Sequence, residues 1–532
     1  MGGGFVDDEQ PLLPNGQKGP WQILDGVLNH CGFGRTQTQL FILCALVNFI
    51  EAMVTALIPL LFPLLKKEWQ VDNAQLALLG SAISIGMLIG ALLLGKSSDI
   101  IGRKISMLIC LVTILVFGFG SAFAPSMSVM AGLQLLLGVG YGGNIVISTT
   151  YLCEFLPKNV RGMALTIVAF FFGIGGMTCV ALGMHLIPIL GWRKMLMLTI
   201  TPIFPAIVLL LISPESPRYY LHTHQTDKVV EVLNNISKVN GVPLPDDLKP
   251  TRKNMRIQPI VQTKKAGEDG TKSFSKQLQD PTIYKTLIPL LCCWFFNAFG
   301  CNIFAWVPLY ISESPAMNSG ASDPMQNAYF AAFYMSLGDA LGTLFVAICF
   351  GANFGRRILL MALLFVVGAL TFSLGRLQNV QIMLAILPVA KAMSQATAVL
   401  YTYTPEVFPT SFRVNGLAMC SIVHRFAPVV APYLAAALMK YSWAHVTTAF
   451  GGLYLCGCVS SLFLSVETAG RDVVEDGTKD DDNKDFMLIS ELCRCRVAGV
   501  PGSPDGGDGQ GFNTYDKQEK VIKFCPYDAD SV

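Results

Sequence analysis

Glu51 stands inside a long apolar run, with Asn48 three residues before it and Thr55 four after, so the three fall on one helical face. Asp339, Lys391 and the adjacent His424 and Arg425 are the other ionisable residues set among apolar neighbours. Lys391 shares a helical face with Gln395, and Ser421 precedes Arg425 by one turn. Asn297 and Cys301 are spaced likewise, with Trp294 a turn earlier and Asn302 beside Cys301. An ionised group at mid-membrane costs about 2.5–3.5 kcal/mol on insertion scales, so such groups are functional candidates. Glu51 either holds a proton or a cation in a cavity, or is a neutral acid hydrogen-bonded between helices. Lys391 and Arg425 either meet an anion or neutralise Asp339 and Glu51. Solute or coupling chemistry is therefore assigned to Glu51, Asn48, Asn297, Asn302, Asp339, Lys391, Gln395 and Arg425. No nucleophile-base pair, metal-ligand cluster or nucleotide loop accompanies them, so neither metal nor cofactor is called for and an enzyme is the least favoured class. His424 reads as a packing residue. The run Gly138-Val139-Gly140-Tyr141-Gly142-Gly143-Asn144 reads as close helix packing, because no strand precedes it to make a phosphate loop.

The elements that must position these residues are membrane spans. The 532-residue chain is 52% hydrophobic and 14% charged, against about 25% charged in soluble proteins. A net charge of +2 excludes a nucleic-acid partner, which would require a basic excess. The 15 cysteines are scattered, and most lie inside apolar runs as small hydrophobes, so no disulfide framework follows. Twelve stretches long enough to cross a bilayer fall near 39–64, 74–95, 105–124, 128–152, 162–186, 194–213, 283–311, 327–350, 358–375, 378–404, 412–438 and 444–466. Residues 1–38 are polar and lack the apolar core of a signal peptide, so the first span must itself direct insertion.

The two halves repeat. Thr150-Tyr151, Glu154, Pro157 and Arg161 recur as Thr402-Tyr403, Glu406, Pro409 and Arg413 at an offset of 252. Gly102-Arg103-Lys104 recurs as Gly355-Arg356-Arg357, Trp192 as Trp443, and Ser213-x-Glu215 as Ser465-x-Glu467. A duplicated six-helix unit is the signature of a transporter built around a central cavity. The expected fold is therefore an all-α membrane protein with twelve transmembrane helices in two pseudo-symmetric six-helix bundles. Its parts are an N-terminal tail 1–38, a bundle 39–213, a linker 214–282 with a short amphipathic helix over Asp227 to Val239, a bundle 283–467 and a disordered tail 468–532. The basic linker places both termini in the cytoplasm by the excess of Lys and Arg on that side.

Gly95-Lys96-Ser97-Ser98-Asp99-Ile100-Ile101-Gly102-Arg103-Lys104 resembles the loop signature of the major facilitator superfamily, and Pro214-Glu215-Ser216-Pro217-Arg218 resembles its sugar-porter signature. Glu51-Ala52-Met53, Asn240-Gly241-Val242-Pro243-Leu244-Pro245 and Tyr403-Thr404-Pro405-Glu406-Val407-Phe408-Pro409 resemble the synaptic vesicle two-related group of organic-ion-transporter-like proteins. The chain departs from the larger relatives in its short connections at 66–73 and 312–326, and carries Gln134 where relatives often have Arg. The resemblance implies a cytoplasmic gate of Asp99, Arg103, Glu154, Arg161, Glu215, Arg218, Arg356, Glu406 and Arg413, paired when the halves meet and broken as that side opens. It implies alternating-access transport of a small organic solute (an organic ion, a vitamin-like acid or a sugar), with protons as the candidate coupling ion, by a monomer in contact with membrane lipid. The alternative is a sensor-like membrane protein that keeps the fold without transporting. Asp8, Leu12 and Leu13 fit an acidic dileucine sorting signal, which would bind an adaptor protein and direct the chain from the plasma membrane to endosomal, lysosomal or vesicular membranes.

Overall fold

A backbone crossing a bilayer must satisfy its own amides, and an apolar run of about 20 residues does so only as a helix. The computed structural model describes residues 19–255, 281–315 and 323–468, apart from 353, 409 and 465. In the first half α2 (Arg35–Trp69), α3 (Asn73–Ile101), α4 (Arg103–Ala122), α5 (Met127–Cys153) and α6 (Lys158–Leu190) are continuous. A sixth span is divided into α7 (Trp192–Ile200) and α8 (Ile203–Ile212) at Thr201-Pro202, where proline removes a backbone donor. Ahead of these lies α1 (Pro20–Cys31), and α9 (Pro217–His222) and α10 (Thr226–Asn240) follow them.

The second half opens with α11 (Pro281–Cys301), a 3-10 segment Asn302–Trp306 and α12 (Val307–Glu313), all one span. It continues with α13 (Pro324–Gly351), α14 (Arg356–Leu374), the divided span α15 (Val380–Met393) and α16 (Ala396–Val407), then α17 (Thr410–Met439) and α18 (Trp443–Leu462). Eleven spans among the described residues are long and apolar enough to cross a membrane by themselves. The twelfth, α18, has 20 residues but is diluted by His445, Thr447, Thr448 and the glycines Gly451, Gly452 and Gly457, and packs against α11 and α14.

Glycines set the helix contacts within each half. A Cβ at Gly86 or Gly90 of α3 would strike the carbonyls of Leu135 and Val139 in α5, and one at Gly142 would strike that of Met87. In the second half Gly338 and Gly342 of α13 meet the carbonyls of Pro388 and Ala392 in α15 in the same manner. Gly86 and Gly90 lie 252 residues before Gly338 and Gly342, so the sequence repeat extends to the packing itself. Between halves, α6 meets α13 through Gly173 on Ala340 and Gly176 on Ser336, and Ser81 of α3 donates to the Val429 carbonyl of α17 at 2.7 Å.

The polar tail expected over 1–38 contains a helix. In α1 the residues Ile23, Leu24, Val27, Leu28 and Cys31 are buried on one face, and the first span starts at Arg35, earlier than its apolar run. Val229, Leu233 and Ile236 of α10 are buried likewise, and α1, α9 and α10 pack together at what we call the linker face.

Candidate functional site

Glu51 lies near the middle of α2 and is 6% exposed. Among the described residues its carboxylate has no hydrogen bond or ion pair; Arg425 of α17 and Tyr141 of α5 lie within electrostatic reach. Asn48, on the same face, donates to the Cys44 carbonyl at 2.9 Å, and Thr55 is exposed although it sits at mid-span. The hydroxyl of Tyr141, both amide groups of Gln134 and the Asn144 oxygen are buried without partners among the described residues. Polar groups left so in a dry interior are costly, by about 1–3 kcal/mol each, unless water or a solute meets them.

A second cluster occupies the other half. Lys391 Nζ stands 3.4 Å from Asp339 Oδ1, and the Gln395 amide donates to the same oxygen at 2.7 Å. Lys391 and Gln395 were expected on one helical face, but α15 ends at Met393 and α16 begins at Ala396; the two side chains meet through Asp339 on α13. Asn297 donates to Thr397 at 2.7 Å and leaves its own oxygen unpartnered, while Asn302 caps back onto Ala298. Trp294 and Trp306 are fully buried: Trp294 donates to Thr404 at 3.0 Å and its ring packs against His424, and Trp306 packs on Phe62 of the first half. Thr397 and Tyr454, which donates to Cys301 at 3.2 Å, complete this cluster and carry no sequence signal beyond helical spacing.

At the linker face Arg103 binds Asp99 at 2.5 Å and Glu154 at 3.2 Å, and Arg356 binds Glu406 at 3.6 Å. These pairs were expected to need the two halves to meet, but each joins residues of one half, because each loop is tied to helices of its own bundle. Glu215 also differs from expectation. Its carboxylate accepts from the Arg103 and Lys104 backbone amides at 2.9 and 3.1 Å, where α4 begins, and so answers the positive end of that helix. Glu467 does the same for Arg356 and Arg357 at 2.7 and 3.1 Å. The Tyr151 hydroxyl donates to the Pro214 carbonyl, and the Tyr403 hydroxyl to that of Val466 at 2.6 Å. The repeat is thus a repeated hydrogen-bond frame. Burial lifts the Glu154 carboxyl above its ordinary value of 4.5, against the pull of Arg103 and a hydrogen bond from Ser216.

Arg218 is turned away from that frame and binds Asp25 of α1 at 2.5 Å, with Arg161 near enough to act on the same carboxylate. Arg161 also donates to the Leu156 carbonyl, and Arg413 occupies the equivalent place in the first turn of α17. Asp25 escaped the sequence reading, although Pro20 at a helix start followed by Ile23, Leu24, Val27 and Leu28 marks an amphipathic turn. On the opposite face Lys66 of α2 binds Glu313 of α12 at 2.7 Å, tying the two halves. Asp8, Leu12 and Leu13 lie outside the described residues.

The profile of the family described as "Sugar (and other) transporter" matches residues 38–476. The chain is 30% identical over 472 residues to the synaptic vesicle 2-related protein of Rattus norvegicus, covering 85% of this chain and 82% of that protein. It is 27% identical over 482 residues to organic cation/carnitine transporter 7 of Arabidopsis thaliana, covering 85% and 96%. The xylose transporter XylE from E. coli, in a partially occluded inward-open conformation, shares the fold with a TM-score of 0.64 at 18% identity, over 82% of this chain and 99% of that one. With two glycine-packed bundles, repeated loop frames and a profile match spanning both, this chain belongs to the sugar (and other) transporter family.

Proposed function

We infer that this protein moves a small organic solute across a membrane by alternating access, with Glu51 as a proton-coupling acid. The observation that carries the reading is a carboxylate near the centre of the first span, 6% exposed and free of hydrogen-bonded partners among the described residues. A group so placed changes its hydration, and therefore its hold on a proton, whenever the cavity around it opens or closes. The unpartnered Tyr141, Gln134 and Asn144 of α5 support a water- or solute-filled space on the same side. Glu51→Gln should abolish uptake driven by a pH gradient while sparing exchange, because the neutral amide stands in for the protonated acid. Proteoliposomes loaded with labelled solutes of each charge class measure this, and wild-type gradient-driven uptake by Glu51→Gln would refute it.

The linker face is cytoplasmic in this reading, by its excess of Lys and Arg. The kinship with a synaptic vesicle 2-related protein supports a vesicular membrane, reached through Asp8, Leu12 and Leu13 and an adaptor. Replacing Leu12 and Leu13 by Ala should move a fluorescently tagged chain to the plasma membrane.

A further inference from the structure

The charge cluster of the second half lies where two helices are interrupted. The 3-10 segment Asn302–Trp306 follows α11, and α15 gives way to α16 at Ser394 and Gln395. Asp339 and Lys391 have side-chain exposures of 16% and 21%, and the helical wheel says where that exposure opens. On α13 the exposed apolar residues Leu341, Leu344, Phe345 and Ile348 form the outer face, and at about 100° per residue Asp339 points away from it. On α15 the exposed Ile382 and Val389 place Lys391 on the far side in the same way. Both charges therefore face the interior of the bundle.

The pair is unevenly supported. At 3.4 Å the Lys391 ammonium is farther from Asp339 than the 2.7–2.9 Å usual for a charge-assisted bond. Its remaining donors meet no oxygen among the described residues. Its other neighbour is the face of Phe304, 5.0 Å away, which attracts a cation and gains nothing from a neutral amine. Lys391 also sits in the last turn of α15, where the helix end favours positive charge. Asp339 differs, because the Gln395 amide serves a carboxylate and the carbonyl of a neutral acid equally well. Cys301 of α11 and Tyr454 of α18 are the other titratable groups within electrostatic reach of Asp339, and their hydrogens go elsewhere, Tyr454 donating to Cys301 and Cys301 to the Ser394 carbonyl. From α6 the same turn of α13 receives Gly173 and Gly176. The site is built to lose charge at the acid and keep it at the lysine.

We propose that an organic monocarboxylate and a proton are loaded together here: the solute carboxylate takes the Lys391 ammonium as its partner, and Asp339, displaced, takes a proton from the loading solution. Charge balances at every stage. Before loading, Lys391 and Asp339 neutralise each other; after it, Lys391 and the solute do, and Asp339 is a neutral acid bonded to Gln395. Unloading returns the proton and the anion to the other side. This deepens the transport reading and rests on it, while assigning the coupled proton of the anion to Asp339 separately from Glu51.

The test is binding of labelled benzoate and hexanoate to the full chain in nanodiscs, with benzamide and benzyltrimethylammonium as competitors. Benzoate should bind about tenfold tighter for each unit of pH lowered between about 7.5 and 5.5, one proton per anion, and neither competitor should displace it. That slope should vanish in Asp339→Asn, which should bind tightly throughout. Lys391→Gln should lose at least about tenfold in affinity. The charge-neutral double variant Asp339→Asn/Lys391→Gln should fold and not bind, which guards against a single variant failing to fold. A pH-independent affinity in the wild type, undiminished binding by Lys391→Gln, or displacement by the cation would overturn the proposal. If neither carboxylate binds at low pH while a neutral or cationic tracer is carried, this site assignment fails and the transport reading stands; if the folded chain carries no tracer of any charge, both fail.

Discussion

Gly142 shows how much one missing side chain decides. Its Cα lies against the Met87 carbonyl of α3, so Gly142→Ala must part α3 and α5, at a cost of about 1–3 kcal/mol for an overpacked contact. Reduced thermal stability of the detergent-solubilised variant would check this, with Gly132→Ala, where a Cβ meets nothing, as the control expected to melt with the wild type. Charged residues divide by the same logic of surroundings. Glu51 is a buried acid and Asp339 a half-buried one, yet Asp339 has a lysine of its own half beside it whereas Glu51 has only the Arg425 guanidinium of the other half at a distance.

At the scale of elements, α4 and α14 begin against carboxylates supplied from beyond the last helix of their own half. Replacing Glu215 or Glu467 by Gln keeps the acceptor and removes the charge, so each should lose about 0.3–2 kcal/mol from the start of its helix. Faster hydrogen exchange at Arg103 to Ser106, or at Arg356 to Leu359, would report it; unaltered exchange would show that the charge is dispensable. The α1 helix carries a pH dependence. Burial holds Asp25 above its ordinary value of 3.8, outweighing the opposing pull of Arg218 and then Arg161. A carboxyl whose folded value is raised binds its proton more tightly in the docked state, so docking is strongest below the ordinary value and weakens as pH rises through the raised one. Exchange of the α1 amides, corrected for intrinsic rate, should therefore quicken across that acid window, and Asp25→Asn should flatten the trend.

For the whole molecule, the described contacts between halves run from mid-span to the face opposite the linker: Gly176 on Ser336, Ser81 on Val429, Phe62 on Trp306, and Lys66 with Glu313. The Arg103 and Arg356 pairs at the linker face each stay within one half, so neither pair itself ties the two bundles together. The Lys66 pair is 30% and 41% exposed, so its own strength is about 0–1 kcal/mol at most and its value is positional. A Lys66→Cys/Glu313→Cys protein should lose transport when oxidised and regain it on reduction, if opening of that face belongs to the cycle. Full activity of the crosslinked protein would show that it does not.

Hydropathy, the 252-residue repeat and the loop motifs were enough to place the fold, because a bilayer leaves an apolar run of 20 residues no other structure and a duplicated motif needs duplicated surroundings. Glu51, Asp339 and Lys391 could be singled out for the same reason: charge is rare where it is expensive. Partners were another matter. Lys391 meets Gln395 through Asp339 across a helix break, Glu215 caps a helix and does not bind an arginine side chain, and Asp25 of an unsuspected helix claims Arg218. Each depends on where separate helices come to rest: Gln395 lies 56 residues from Asp339, and Arg218 lies 193 residues from Asp25. Helical periodicity reports only which residues share a face of one helix. What that face meets is decided by packing, and here the packing was set by glycines that let backbones touch.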